Sequence, residues 1–167
     1  QTTHQGGLLT LIPFKLARYF TQISYYSLPH RRCSTILLTG PKENLQFTNV
    51  YLSTNVDSAH RPDEIRSLGP LHNSSRVLSF ISGDFNFVSS PEDRVHLVDS
   101  PAHMAPYQGS SNPTETAVMH AVLPDFQEID HFAFTYLGTT VRSRLDRVYT
   151  NMHLADILIT NHRPQLI

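Results

Sequence analysis

Apolar runs separated by Gly, Pro and Asn divide the chain into short strands and two helices. Residues 8–14 (LLTLIPF) follow Gly6 and Gly7 and read as a buried strand interrupted by Pro13. Tyr19, Phe20, Tyr25 and Tyr26 across residues 15–27 suit a continuing antiparallel sheet. Residues 34–39 (STILLT) are β-branched and apolar and stop at Gly40-Pro41. In residues 45–52 (LQFTNVYL), Leu45, Phe47, Asn49 and Tyr51 share one face of a strand. The short link between these two runs predicts a hairpin. Pro62, with Asp63 and Glu64 behind it, opens a short helix that ends near Gly69. Residues 89–113 are rich in Pro, Ser, Asn and Gly and read as loop. Residues 114–123 form a second helix, whose apolar stripe is Ala117, Val118, Ala121 and Val122. Residues 132–137 (FAFTYL) and 145–149 (LDRVY) read as strands, and Pro164 confines any last strand to an edge or a start. Strands separated by two helices, with hairpin-length links elsewhere, predict a mixed or antiparallel sheet covered by helices.

The stretch that organises the chain is residues 77–88, VLSFISGDFNFV. An apolar strand runs into Gly83 and then presents Asp84 and Asn86, with Phe85 between them. Side chains two apart in a strand share a face, so Asp84 and Asn86 project together and Phe85 turns into the core. A carboxylate and a carboxamide side by side suit a hard cation and a phosphate oxygen. The same residues also suit a strand that ends in an Asx-turn, and spacing alone does not separate the two readings.

Composition narrows the field. A length of 167 residues suits one domain. A formal charge of −1 supplies no bulk basic field, so any polyanion site has to be local. The single Cys33 excludes an internal disulfide and is compatible with a reducing compartment. No apolar run approaches the length of a membrane span, and residues 1–7 lack the charged and apolar regions of a signal peptide, so no membrane association and an intracellular location are expected. The ten histidines contain no HExxH pair and there is no Cys pair, so a dedicated zinc site is not expected.

Several spaced motifs together resemble the endonuclease/exonuclease/phosphatase superfamily, in its own order. GDFN (residues 83–86) resembles its central motif and SRLDRVY (143–149) its late acidic strand. NHRP (161–164) is similar to its terminal SDHRP string, and NVYL (49–52) to the strand that ends in a catalytic Tyr or His. Phosphoinositide phosphatases and sphingomyelinases usually carry His where this chain has Tyr51. Abasic-site endonucleases and the endonuclease domains of LINE-type retrotransposons usually carry Tyr. SGDFNFV and SRLDRVYTN resemble the retrotransposon branch most.

The resemblance implies an α/β fold, a four-layer sandwich of two mixed sheets flanked by helices. It also implies hydrolysis of a DNA phosphodiester by water with Mg²⁺ or Mn²⁺. Asp84 would orient or deprotonate the water, Asn86 would hold a phosphate oxygen, and Tyr51 would contact the phosphate or the leaving group. His162 would contact the scissile phosphate with Asp146 as its orienting partner. From the residues alone, Arg142 and Arg144 could reach a DNA backbone, as could two arginines on any exposed loop. Asn161 stands where the family has an Asp that supports this His or the metal, and Asn supplies no charge for either task. The family's first metal-binding segment would lie upstream of Gly6, so the chain is expected to be an N-terminally truncated fragment, joined in the full-length protein to a reverse-transcriptase domain and working in the nucleus. An inactive remnant of the same fold and a phosphatase acting on a small phosphoester or lipid are the alternatives.

Overall fold

The computed structural model of the chain describes residues 8–28, 32–54, 59–69, 77–97, 104–106, 111–129 and 133–153. STILLT and LQFTNVYL form the expected hairpin as β2 (Cys33–Thr39) and β3 (Asn44–Tyr51), paired antiparallel from Cys33 opposite Val50 to Thr39 opposite Asn44. β1 (Gln22–Ser27) adds antiparallel to β2 on the outer side. On the inner side β4 (Val77–Asp84) runs parallel to β3. A parallel neighbour needs a crossover, and α2 (Arg61–Arg66) supplies it, opening with Pro62 in its first turn as expected. β10 (Asp146–Thr150) then pairs antiparallel with β4, and β7 (Gln127–Glu128) with β10. The result is a six-stranded mixed sheet in the order β1-β2-β3-β4-β10-β7.

One face of this sheet carries Cys33, Val50, Ile81 and Tyr149, which pack with Leu52, Ile65, Leu68, Phe85, Phe87, Met119 and Leu123 into the core. Ile65 comes from α2 and Met119 from α3 (Pro113–Val122), so both helices cover this face. On the opposite face Phe47 stacks on Phe80, with ring centroids 5.5 Å apart. LLTLIPF is not a strand. It has no regular secondary structure, is anchored where the Asn49 amide donates to the Leu9 carbonyl at 3.2 Å, and gives way at Pro13 to the single-turn α1 (Phe14–Ala17). Pro13 lacks the N–H that a ladder needs, and Leu9 and Leu11 remain exposed.

A second sheet of four strands has the order β6-β5-β9-β8, from β5 (Arg94–Leu97), β6 (Met104–Pro106), β8 (Tyr136–Leu137) and β9 (Val141–Ser143). Its pairings among the described residues are antiparallel. Residues 89–113, expected as loop, thus hold two strands, each too short to show a period. FAFTYL contributes only Tyr136 and Leu137 among its described residues. The architecture is the expected α/β fold with two sheets and flanking helices.

The two sheets meet where one pair of chain segments serves both. β9 passes through Arg144 and Leu145 straight into β10, while β4 reaches β5 through a 3₁₀ turn at Pro91–Asp93. Asp84 lies opposite Asp146 in the first sheet and Arg94 opposite Ser143 in the second. A buried ion cluster closes this corner. Arg147, fully buried, reaches Asp93 at 2.7 Å and Glu128 at 3.0 Å. Arg144 reaches Asp93 at 2.6 Å and also pairs with Glu128. Burial works against the charge on Asp93, but the hydrogen bonds and charge of Arg147, and the hydrogen bond of Arg144, outweigh it and hold the carboxyl below its ordinary value. The native state therefore binds this proton less readily than the unfolded chain. Asp93 stabilises the fold above the ordinary aspartate range, and that contribution is lost as pH falls through the depressed native pKa.

Removing one partner of such a cluster leaves the others buried and uncompensated. Arg147→Met is expected to lower unfolding free energy by about 3–5 kcal/mol, read from the midpoint of urea denaturation. Asp93→Asn should weaken the protein at neutral pH and flatten the acid limb of its stability curve. An unchanged limb would mean that Asp93 does not set it.

Candidate active site

The register of three strands brings the sequence candidates to one sheet end. β3 and β4 run parallel and finish together, with Tyr51 opposite Asp84. β10 starts at the same level, with Asp146 opposite Asp84. A phenol and two carboxylates from distant parts of the chain thus sit on three adjacent strands. Glycine is required at the step before. Gly83 has φ of +139°, and a Cβ there would stand 2.0 Å from the Val50 carbonyl oxygen. Close approach of these two backbones keeps the ends of β3 and β4 in step, and the Leu52 N–H continues the pairing by donating to the Asp84 carbonyl at 2.9 Å.

Strand alternation does not bring Asn86 beside Asp84. The strand ends at Asp84, and Asn86 takes a left-handed conformation with φ of +52°. Its backbone N–H donates to Asp84 Oδ1 at 2.9 Å, which closes an Asx-turn. Of the two readings that spacing left open, the structure shows the Asx-turn, and the turn sets the carboxamide next to the carboxylate. Phe85 is fully buried as expected, edge-on to Tyr149 with centroids 5.3 Å apart. The Asn86 amide nitrogen donates to the Leu52 carbonyl at 2.9 Å, which ties the turn to the end of β3.

Asp84 carries the electrostatic signature of the site. Burial raises its pKa above the ordinary aspartate value and the charge of Asp146 raises it further, while hydrogen bonding from Asn86 partly offsets both. A carboxylate held this way is a better base than a solvated one. Cys33 is no competing nucleophile, since burial and then Glu64 push its thiol up to about 12. Among the described residues no cluster of three or more His, Cys, Asp or Glu could hold a metal. The available donors are the two opposed carboxylates, a hard-oxygen set of the kind that suits Mg²⁺ completed by water and phosphate, and one unlike a zinc site.

The remaining candidates separate. Asn161 and His162 lie outside the described residues. The Arg144 guanidinium is turned into the buried cluster with Asp93 and Glu128, an internal engagement that sequence did not anticipate. Sequence reasoning also passed over Arg61 and Glu64 on α2. Both are buried and bonded to the chain around the site, and their only signal was that two charged residues three apart share one helix face. No helix among the described residues is long and apolar enough to cross a membrane.

The chain is an α/β fold of two sheets with covering helices, with polar side chains gathered at the ends of β3, β4 and β10. Among solved structures with this fold, the chain is similar to the endonuclease domain of TRAS1, a telomere-specific non-LTR retrotransposon, with a TM-score of 0.52 and 10% identity over 80% of this chain and 58% of that one. Weaker likenesses include a humanized D. rerio TDP2, with a TM-score of 0.47 and 13% identity over 81% of this chain and 55% of that one. Another is the inositol polyphosphate 5-phosphatase domain of SPSynaptojanin, with a TM-score of 0.48 and 15% identity over 77% and 45%. The chain spans less than two thirds of the length of each. No family model and no curated protein sequence matches it.

The paired carboxylates make a direct prediction. Asp146→Asn removes a like charge and should lower the pKa of Asp84, followed as the ¹³C carboxyl shift of Asp84 against pH. A titration unchanged by Asp146→Asn would show that the two carboxylates do not interact.

Proposed function

We propose that the chain hydrolyses phosphodiesters of DNA, as the endonuclease of a retrotransposon-type element. The observation that carries this reading is the register that sets Tyr51, Asp84 and Asp146 side by side on three strands. The likeness of SGDFNFV and SRLDRVYTN to the retrotransposon branch supports DNA as the substrate. Tyr51, where superfamily phosphatases usually have His, argues against a lipid or small phosphoester.

In this reading water attacks phosphorus, one P–O bond breaks, and the leaving alkoxide takes up a proton. Asp84 accepts the proton of the attacking water, which its raised pKa favours. The Tyr51 hydroxyl donates to a phosphate oxygen or to the departing oxygen. The Asn86 carboxamide, beside Asp84 and the end of β3, is placed to contact a phosphate oxygen. His162, oriented by Asp146, contacts the scissile phosphate. Asp84 and Asp146 would hold Mg²⁺ or Mn²⁺, with Asn161 a weaker ligand, and the cation when bound neutralises phosphate charge. A reverse-transcriptase domain in the same protein and action in the nucleus follow from the same reading. Asn161 favours one alternative, an inactive relative of this fold, because the family's acid is replaced there.

Incubation with supercoiled plasmid and Mg²⁺ tests the proposal. Nicking is expected, EDTA should abolish it, and Asp84→Ala should reduce it by about 10²–10⁴. The rate should fall on the acid side at a pH above the ordinary aspartate range, because protonated Asp84 is no base. Nicking that survives both EDTA and Asp84→Ala would overturn the mechanism. Asn161→Asp should raise the rate if the acid at this position matters.

A further inference from the structure

α2 carries two buried charges that face the site from below. Arg61 and Glu64 are each 3% exposed and lie three residues apart on one face of the helix. The Arg61 guanidinium donates to the Asn86 carbonyl and pairs with Glu115 of α3 at 3.2 Å. Its Nε is buried with no hydrogen-bond partner among the described residues. Glu64 accepts from the Ser53 N–H at 2.9 Å and from the Ser53 hydroxyl at 2.6 Å. It also lies 4.0 Å from Arg32, whose guanidinium sits 5.5 Å over the Tyr51 ring and whose carbonyl accepts the Tyr51 N–H at 2.8 Å.

Burying an arginine and a glutamate is unfavourable unless their bonds return the loss, and nonpolar replacements often serve stability as well or better. Packing alone therefore does not account for the pair. What they share is their targets. One arm grips the left-handed turn that sets Asp84, and the other grips the chain just beyond Tyr51. The Asn86 amide joins the two targets through the Leu52 carbonyl.

We propose that α2 is the positioning element of the site, with Arg61 fixing the turn at Asp84 and Asn86 and Glu64 fixing the strand end that carries Tyr51. The inference rests on the hydrolase reading of that site. Neither side chain touches the reacting atoms. Arg61 acts through Asn86, whose N–H holds one oxygen of Asp84, and Glu64 acts through Ser53 and Arg32.

The groups facing the Asp84 carboxyl are Asn86 on its own turn, Asp146 on β10 and Tyr51 on β3. The Asn86 N–H stabilises the ionised form. Releasing the turn with Arg61→Met should weaken that bond and speed hydrogen exchange of the Asn86 amide, read by NMR on the full chain, by about tenfold or more. Arg61→Lys, which keeps a cation near Glu115, should recover part of the protection. Glu64→Gln should lower kcat for plasmid nicking by about tenfold with KM unchanged.

If Arg61→Met fails to fold, the double replacement Arg61→Met with Glu115→Met removes both charges, retains a packed interior and gives the same readout. A folded variant whose Asn86 amide exchanges as in the parent protein overturns the proposal. Faster Asn86 exchange in a protein that never nicks DNA supports the positioning role, and in that case the hydrolase reading alone fails.

Discussion

The close approach of Gly83 to the Val50 carbonyl is the constraint on which the site depends. Parallel strands have no turn to fix their register, so something else must keep their ends level. Here a missing side chain does so: any Cβ at position 83 would strike backbone, which cannot rotate aside as a side-chain tip can. With β3 and β4 locked at this step, Tyr51 and Asp84 finish opposite each other, and β10 brings Asp146 to the same level. A slip of one residue would send Asp84 to the helix-covered face and Phe85 to the outer one.

Two groups of buried charges surround this point, and their tasks differ. The cluster of Asp93, Glu128, Arg144 and Arg147 closes the corner where the chain passes between the sheets. Its arginines stand beside Asp146 in sequence, yet they face acids on the corner side, and the acidic residue of the strand is left on the side of Asp84. Arg61, Glu64 and Glu115 tie the helix layer to the loops above the sheet. Buried polar groups of this kind fix one geometry among many that apolar packing would tolerate.

Much of this was legible in the sequence. Periodicity located the hairpin, α2, α3, β4 and β10, because each is long enough to show a pattern or carries a clear start signal. It failed at LLTLIPF, where an apolar run met Pro13 and no strand formed, and within residues 89–113, where RVHL and MAP are too brief to alternate. Asp84, Asn86, Tyr51 and Asp146 were identified by motif, and the register of three strands gives that choice a geometry. Their order in the sequence says nothing of the Asx-turn that replaces simple alternation, nor of the inward turn of Arg144. Both depend on partners far away in the chain.

The same crossover that holds α2 also delays the site. β2 and β3 can zip together locally, but β4 reaches β3 only after the chain has looped through α2, and β10 arrives from much further along. Contacts of such long sequence separation close late and slowly in folding. A chain caught with its hairpin formed and its crossover open already contains Tyr51, Asp84 and Asp146, yet does not hold them together. Most of the β-structure can therefore be in place before these three side chains meet.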